Sequence, residues 1–163
     1  MSNSIFKKSI IFFLALGMGS ICRAQNDSES YKVYEIVLAK LTKRFTTLEK
    51  ATTLRAIKHF NFKDPSIYWV VPEGPVSDDW HMFLNSIDTA KLKTEPLADA
   101  FCAKHPFELT ARNYLRFSPV IFSGDKAMVG LYIYNAGMFN EQVFLLEKKS
   151  GDWTIYKRIV VDM

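Results

Sequence analysis

Two short stretches of the chain carry residues whose types and spacing could support catalysis. The first is SDDWHMF, residues 77–83, in which Asp78 and His81 lie one helical turn apart. A carboxylate and an imidazole at this spacing could exchange protons with a substrate or bind a metal ion. The segment also has the pattern of a helix start, because Ser77 can cap the helix and Asp78 and Asp79 favour its positive end. This structural interpretation accounts for every residue of the segment.

The second stretch places Cys102 and His105 three residues apart, so that a thiol and an imidazole could meet on one helix. A cysteine nucleophile also needs a group that orients its base, and no glycine-rich turn or oxyanion-hole motif surrounds Cys102. The three histidines of the chain match no zinc spacing. Asp78, Asp79, His81 and His105 are therefore the catalytic candidates, and we predict neither a metal site nor a cofactor.

A third candidate site is a surface of aromatic and basic side chains near the C-terminus. Tyr132, Tyr134, Tyr156 and Arg158 lie in neighbouring predicted strands. Tyrosine and arginine are frequent in binding hot spots, although they also form ordinary cross-strand pairs. These four residues are the predicted binding residues for a small ligand or another protein.

Helices are predicted mainly in the first part of the chain. Apolar residues from Ser30 onward recur at intervals of three and four, which predicts one helical face; they are Tyr31, Tyr34, Leu38, Leu41 and Phe45. Residues 77–87 show a second helical pattern, and a third short helix is expected between Glu95-Pro96 and Pro106. Residues 46–63 fit neither the helical nor the strand period.

Strands are predicted at residues 66–71 and in four runs at the C-terminus, separated by glycine-containing turns. The four runs are residues 118–123, 127–134, 142–149 and 153–161. Alternation in the last run places Trp153, Ile155, Ile159 and Val161 on one face. The predicted fold class is α+β, with the N-terminal helix and the short helices packed on one side of an antiparallel meander of about four strands.

The N-terminus has the layout of a secretory signal. Lys7 and Lys8 precede an apolar run over residues 10–21, which is shorter than the roughly 18 residues that a membrane-spanning helix needs. We predict a signal peptide, residues 1–24, followed by a single α+β domain, residues 25–163, in the periplasm or outside the cell. The alternative is a lipoprotein anchored through Cys22.

Charge and cysteine content limit the expected partners. The whole chain has a net charge of +4. Lys7, Lys8 and Arg23 would be removed with the signal peptide, so the mature chain would keep 18 of the 21 basic residues together with 17 acidic ones. Nucleic-acid binding therefore loses its electrostatic basis. After cleavage Cys102 is the single cysteine, so no intramolecular disulfide is expected. We expect no membrane span in the mature chain.

The C-terminal third contains an FSxVxF opening, an Asp-Lys turn, an Ala-x-Val strand and an LLEKKxGxW ending; these are Phe117, Ser118, Val120, Phe122, Asp125, Lys126, Ala127, Val129, residues 145–149, Gly151 and Trp153. In these motifs the chain resembles a family of small, uncharacterised secreted bacterial proteins. The chain departs from the pattern at residues 136–140, which replace a glycine-rich and often cysteine-rich segment. The resemblance implies export and fold but no activity. The hairpin ending is also similar to that of NTF2-like domains, in which a curved sheet encloses a pocket.

Two functions are consistent with this sequence. The first is a non-enzymatic module of the cell envelope that binds a small ligand or an envelope protein through the Tyr132, Tyr134, Tyr156 and Arg158 surface. The second is a small hydrolase that acts on envelope material with the Asp and His candidates, provided that these side chains meet in one pocket. The oligomeric state stays open.

Overall fold

The computed structural model describes residues 28–41, 48–105 and 113–162. Residues 28–40 form helix α1. The chain divides into two compact units, Met1–Lys32 and Val33–Met163. In the first unit, Lys32 Nζ lies 2.7 Å from Glu29 Oε1. Residues 33–40 of α1, the sheet and the other helices belong to the second unit.

Three further helices precede most of the sheet. They are α2 (Arg55–His59), α3 (Asp78–Ser86) and α4 (Asp99–Lys104), and 3-10 turns lie at Pro65–Ile67 and Thr89–Lys91. The prediction of α3 is confirmed, with Ser77 at its N-cap position and Trp80, Phe83 and Leu84 buried. Helix α4 begins later than predicted because Pro96 pairs with Ala51 in an isolated β-bridge. The ambiguous residues 46–63 contain α2.

Among the described residues, six strands form one antiparallel sheet. They are β1 (Trp69–Val71), β2 (Asn113–Phe117), β3 (Ile121–Ser123), β4 (Lys126–Asn135), β5 (Met138–Lys149) and β6 (Asp152–Asp162). Their order is β1-β6-β5-β4-β2, and β3 also pairs with β4. The α+β class is confirmed, and the predicted meander of about four strands gains β1 at one edge and β2 at the other.

The β4–β5 and β5–β6 connections are two-residue turns. Ala136 and Gly137 have φ values of 48° and 95°, and Ser150 and Gly151 have values of 52° and 94°. Positive φ at both positions gives the backbone twist that joins antiparallel strands tightly. The predicted long connection between residues 134 and 142 is therefore wrong, since strand pairing continues to Asn135 and resumes at Met138.

One face of the sheet is covered by α2 and α3, and we call it the α3 face. A Cβ atom at Gly130 would lie 3.1 Å from Ile57 of α2, so the even-numbered residues of β4 point to this face. A buried apolar cluster fills the space; its members include Ile57, Phe60, Trp80, Phe83, Leu84, Met128, Val143, Leu145 and Ile159.

The opposite face, which we call the α1 face, is covered in part by α1. Phe117 pairs with the odd-numbered Leu131, and its ring stacks on Tyr34 at 4.5 Å. The Tyr34 hydroxyl donates to the Ser118 carbonyl at 2.9 Å. The prediction that the helices lie on one side of the sheet is therefore wrong. Residues 127–133 are all buried, and such a continuous apolar run needs cover on both faces.

The contact with the sheet also sets the orientation of α1. Val33, Tyr34 and Val37 are its buried residues, whereas Leu38 and Leu41 are only partly buried. The predicted face therefore contains Tyr34 but omits the two valines, and Phe45 lies outside the described residues. Residues 33, 34 and 37 lie on one side of a helix. Because Tyr34 stacks on Phe117, Val33 and Val37 also point toward the sheet.

Strand β6 contains an extra residue at Tyr156. Leu145 pairs with Lys157 and Leu146 pairs with Ile155, so Tyr156 has no partner residue on β5. Such a bulge reverses which residues of the strand point to which face. The prediction that Trp153, Ile155, Ile159 and Val161 share one face is wrong for this reason. The first two lie on the α1 face, and Ile159 and Val161 pack with the cluster on the α3 face.

The bulge also turns Lys157 toward the α3 face. Its side chain is buried, and its ammonium group donates to three backbone carbonyls of the loop after β1. The acceptors are Pro72, Glu73 and Gly74, at 2.9, 3.3 and 3.3 Å. These charge-assisted bonds satisfy the buried ammonium and attach the loop to the sheet.

Trp153→Ala is expected to lower the free energy of unfolding by about 3 to 5 kcal/mol, because the side chain is buried and its ring packs on Phe122. Trp69→Ala is the matched control, since Trp69 is 56% exposed, and it should leave stability close to that of the parent chain. Chemical denaturation followed by circular dichroism measures both variants. Equal stability of the two would show that Trp153 does not anchor the hairpin.

Candidate functional site

The structure does not bring the four predicted acid and base residues together. Asp78 and Asp79 are exposed in the first turn of α3, and His81 lies on the same helix. His105 caps α4, where its Nε2 is 3.5 Å from Glu35 Oε2. Helix α4 packs against Tyr34 on the α1 face, whereas α3 lies on the other face. The sheet therefore separates His81 from His105.

Cys102 is also poorly placed for nucleophilic chemistry. Burial raises the pKa of the Cys102 thiol, whereas a nucleophile needs a lowered one. Its Sγ lies 3.9 Å from the Leu97 carbonyl, the contact of a weak donor in a packed position. Across the described ranges, no three His, Cys, Asp or Glu side chains are grouped so that they could hold a metal ion.

The predicted binding residues are divided between the two faces. Tyr132 and Tyr134 point to the α3 face of β4, where Tyr132 is buried. Tyr156 lies on the same face, but its ring stacks on Trp80 at 5.4 Å, and its hydroxyl accepts from the Ser77 N–H. Arg158 points to the α1 face, since it follows the bulge and pairs with Phe144. The four residues therefore share no common surface.

Arg158 instead lies in a cleft on the α1 face, which we call the apolar cleft. It has a volume of about 400 Å³ and lies near the β4–β5 turn and the β1 edge. Its apolar wall is Trp69, Ile133, Met138, Phe139 and Val160, and its polar residues are Asn135, Asn140, Gln142 and Arg158. The volume and the mixture of apolar and polar groups are typical of small-molecule sites.

Strand register brings the walls of the apolar cleft together. Trp69 of β1 pairs with Val160 of β6, which in turn pairs with Gln142 of β5. Trp69 is 56% exposed and Met138 is 69% exposed. Adjacent exposed apolar side chains in a concave surface are characteristic of binding sites.

Two buried polar atoms of this cleft have no hydrogen-bond partner among the described residues. They are Arg158 Nε and Gln142 Oε1. The amide nitrogen of Gln142 is satisfied, since it donates to Asn140 Oδ1 at 2.5 Å. A buried polar atom without a partner costs about 1 to 3 kcal/mol. Two residues that line the cleft thus carry one donor and one acceptor that no described residue satisfies.

A second group of ionisable residues, centred on Glu141, was not predicted from the sequence. Its carboxylate is fully buried on the α3 face, with Arg55 Nε 2.5 Å away and His59 Nδ1 2.6 Å away. The Arg55 guanidinium lies over the rings of Tyr132 and Phe139, at 4.9 and 4.7 Å. The sequence does indicate this position, because Glu141 lies two residues before Val143 and strand alternation points both side chains to the same apolar face.

The described part of the chain thus has an α+β fold with a six-stranded antiparallel sheet, and the apolar cleft on its α1 face is large enough for a small ligand. Comparison with protein-family models, with curated proteins and with solved structures finds no match for the chain. None of the helices within residues 28–41, 48–105 and 113–162 has both the length and the apolar character needed to cross a membrane.

Arg55→Met is expected to destabilise the fold by about 3 kcal/mol, because it removes the permanent positive charge beside the buried Glu141 carboxylate and leaves it with the hydrogen bond to His59. The double variant Arg55→Met/Glu141→Met should recover most of this loss, since removing both charges also removes the desolvation cost. Denaturant titration of the two single variants and the double variant gives the coupling energy.

Lys91→Met is the control for this cycle, because Lys91 forms an exposed ion pair with Asp88 and should contribute little to stability. Additive effects of Arg55→Met and Glu141→Met would contradict the assignment of Arg55 as the charge partner of Glu141.

Proposed function

We propose that the protein is an exported, non-enzymatic binding module that holds a small amphipathic carboxylate in the apolar cleft. The observation that carries the proposal is the buried Nε of Arg158, which lacks a partner among the described residues in an otherwise largely apolar cleft. A ligand with an anionic group and an apolar body satisfies both features of the cleft.

The anionic group is a carboxylate because of the chemistry of arginine. A guanidinium group binds planar carboxylates through parallel N–H donors, and such charge-assisted bonds are among the strongest in proteins. Gln142 Oε1 is an acceptor, so it would take a hydroxyl group or a water molecule that accompanies the ligand. The negative charge of the ligand would be placed next to Arg158.

The apolar body of the ligand would cover Trp69, Val160 and Met138. Two of these side chains are more than half exposed, and burial of apolar area contributes roughly 25 cal/mol per Å². A cleft of about 400 Å³ suits a small molecule, whereas stable protein interfaces bury larger and flatter surfaces. A small ligand therefore has better support than an envelope protein.

The proposed location is the periplasm or the cell exterior, or the membrane surface if Cys22 is lipidated. Support for export comes from Lys7, Lys8 and the apolar run over residues 10–21, as well as from the resemblance to secreted bacterial proteins. The hydrolase alternative has less support, because the sheet lies between His81 and His105.

Three probes with the same alkyl chain test the proposed ligand: octanoate, octanol and octylamine. We expect the full chain to bind octanoate about tenfold more tightly than octanol, because one charge-assisted hydrogen bond is worth roughly 1.5 to 3 kcal/mol. Octylamine should bind most weakly, since its ammonium group would face Arg158. Chemical-shift titration by NMR at constant ionic strength measures the three affinities.

Two variants separate the roles of charge and apolar contact. Arg158→Met should remove the preference for octanoate over octanol, and Trp69→Ala should weaken the binding of both. Lys91→Met removes one positive charge outside the cleft and should change neither affinity. A preference for octanoate that survives in Arg158→Met, or the absence of saturable octanoate binding, would contradict the proposal.

A further inference from the structure

A second cleft, which we call the basic cleft, lies beside α2 and has no part in the proposed function. It has a volume of about 550 Å³. Its lining residues are Thr53, Leu54, Arg55, Lys58, His59, Leu92, Lys93 and Thr94. Three of them carry a permanent positive charge, and none carries a carboxylate.

The positive charge of the basic cleft is only partly neutralised. Arg55 pairs with the buried Glu141, which does not line the cleft. Lys58 and Lys93 have no ion-pair partner within the part of the chain that the structure describes. Two positive charges are therefore left uncompensated at this cleft.

Hydrogen bonds hold the two walls of the basic cleft together. Thr52 Oγ1 donates to the Glu95 carbonyl at 2.6 Å and accepts from the Glu95 N–H at 2.8 Å. The Ala51–Pro96 bridge adds a second connection between the same segments. The segment that carries Lys93 and Thr94 is thus tied to the one that leads into α2.

Glu141 orients two residues of the basic cleft, Arg55 and His59. The Arg55 guanidinium lies over the rings of Tyr132 and Phe139, with its Nε toward Glu141. His59 directs Nδ1 to the same carboxylate, which leaves Nε2 for another partner. Replacing a buried ion pair with apolar residues often stabilises a fold. The burial of Glu141 is therefore better explained by its positioning of Arg55 and His59 than by a gain in stability.

We propose that the basic cleft binds a dianionic tetrahedral oxyanion, the phosphate group of a phosphate monoester. Two uncompensated charges match a dianion, and the ends of Lys58 and Lys93 would sit on either side of it. Thr53 accepts from the Arg55 N–H and keeps its own hydroxyl proton for a phosphate oxygen. Arg55 supplies further donors from the α2 side.

A comparison of two aromatic anions tests this proposal on the full chain. At pH 8 phenyl phosphate is a dianion, since its second pKa is about 6, whereas benzenesulfonate has a similar shape and one charge. We expect saturable binding of phenyl phosphate with a Kd of about 1 mM or tighter at low ionic strength, and at least tenfold weaker binding of benzenesulfonate. The affinity should fall as salt is added.

Substitutions locate the binding site. Lys58→Gln and Lys93→Gln should each weaken phenyl phosphate binding about tenfold, and the double variant should abolish it. Lys63→Gln and Lys91→Gln, which lie outside the cleft, should have no effect. Octanoate binding by the double variant should be unchanged, so the two proposed sites can fail independently.

Three outcomes would overturn the assignment. They are the absence of saturable phenyl phosphate binding, equal affinity for benzenesulfonate, and phenyl phosphate binding that survives in the Lys58→Gln/Lys93→Gln variant. Thermal unfolding of each variant is measured alongside, and Lys58 and Lys93 are both exposed, so their loss should not unfold the chain.

Discussion

The extra residue at Tyr156 is the constraint on which the rest of the structure depends. Before it, Trp153 and Ile155 pack on the α1 face, and after it the order of faces reverses. Lys157 then points inward to the carbonyls of the loop after β1, and Arg158 points into the apolar cleft. Bulges of this kind redirect side chains at functional sites. Here one inserted residue decides which face each neighbouring cation takes, so that Lys157 binds the loop after β1 and Arg158 lies in the cleft that we propose as a ligand site.

Both proposed sites meet near the β4–β5 hairpin. Phe139 is among the residues that line the apolar cleft, but its side chain points to the α3 face, where its ring lies 4.7 Å from the guanidinium of Arg55, which lines the basic cleft. Glu141 follows two residues later in β5, and its buried carboxylate contacts both Arg55 and His59 on the α3 face. Short turns allow the hairpin to place these groups accurately, because a two-residue turn leaves little freedom in strand register.

The sequence predicts those features that depend on local pattern. Trp80, Phe83 and Leu84 fall on one helical face, and glycine marks the turns between strands. The sequence marks the bulge only by Lys157, which stands where the alternation of residues 153–161 would place an apolar residue, and only pairing with β5 reveals the extra residue. For the same reason Arg158 is predicted as a binding residue but is grouped with tyrosines that lie on the other face. Trp69 and Met138 lie near Arg158 in the apolar cleft because of the order of the strands in the sheet. The periodicity of a single strand carries no information on that order.

The central claim is that the bulge aims Arg158 into a ligand cleft on the α1 face. It is tested most directly by intermolecular NOEs between bound octanoate and the labelled protein. The account predicts contacts from the alkyl protons to Trp69 and Val160, together with a shift of the Arg158 Nε–H resonance on binding. Contacts to Trp80 or Ile57 on the α3 face, or an Arg158 resonance that does not respond at saturation, would contradict it.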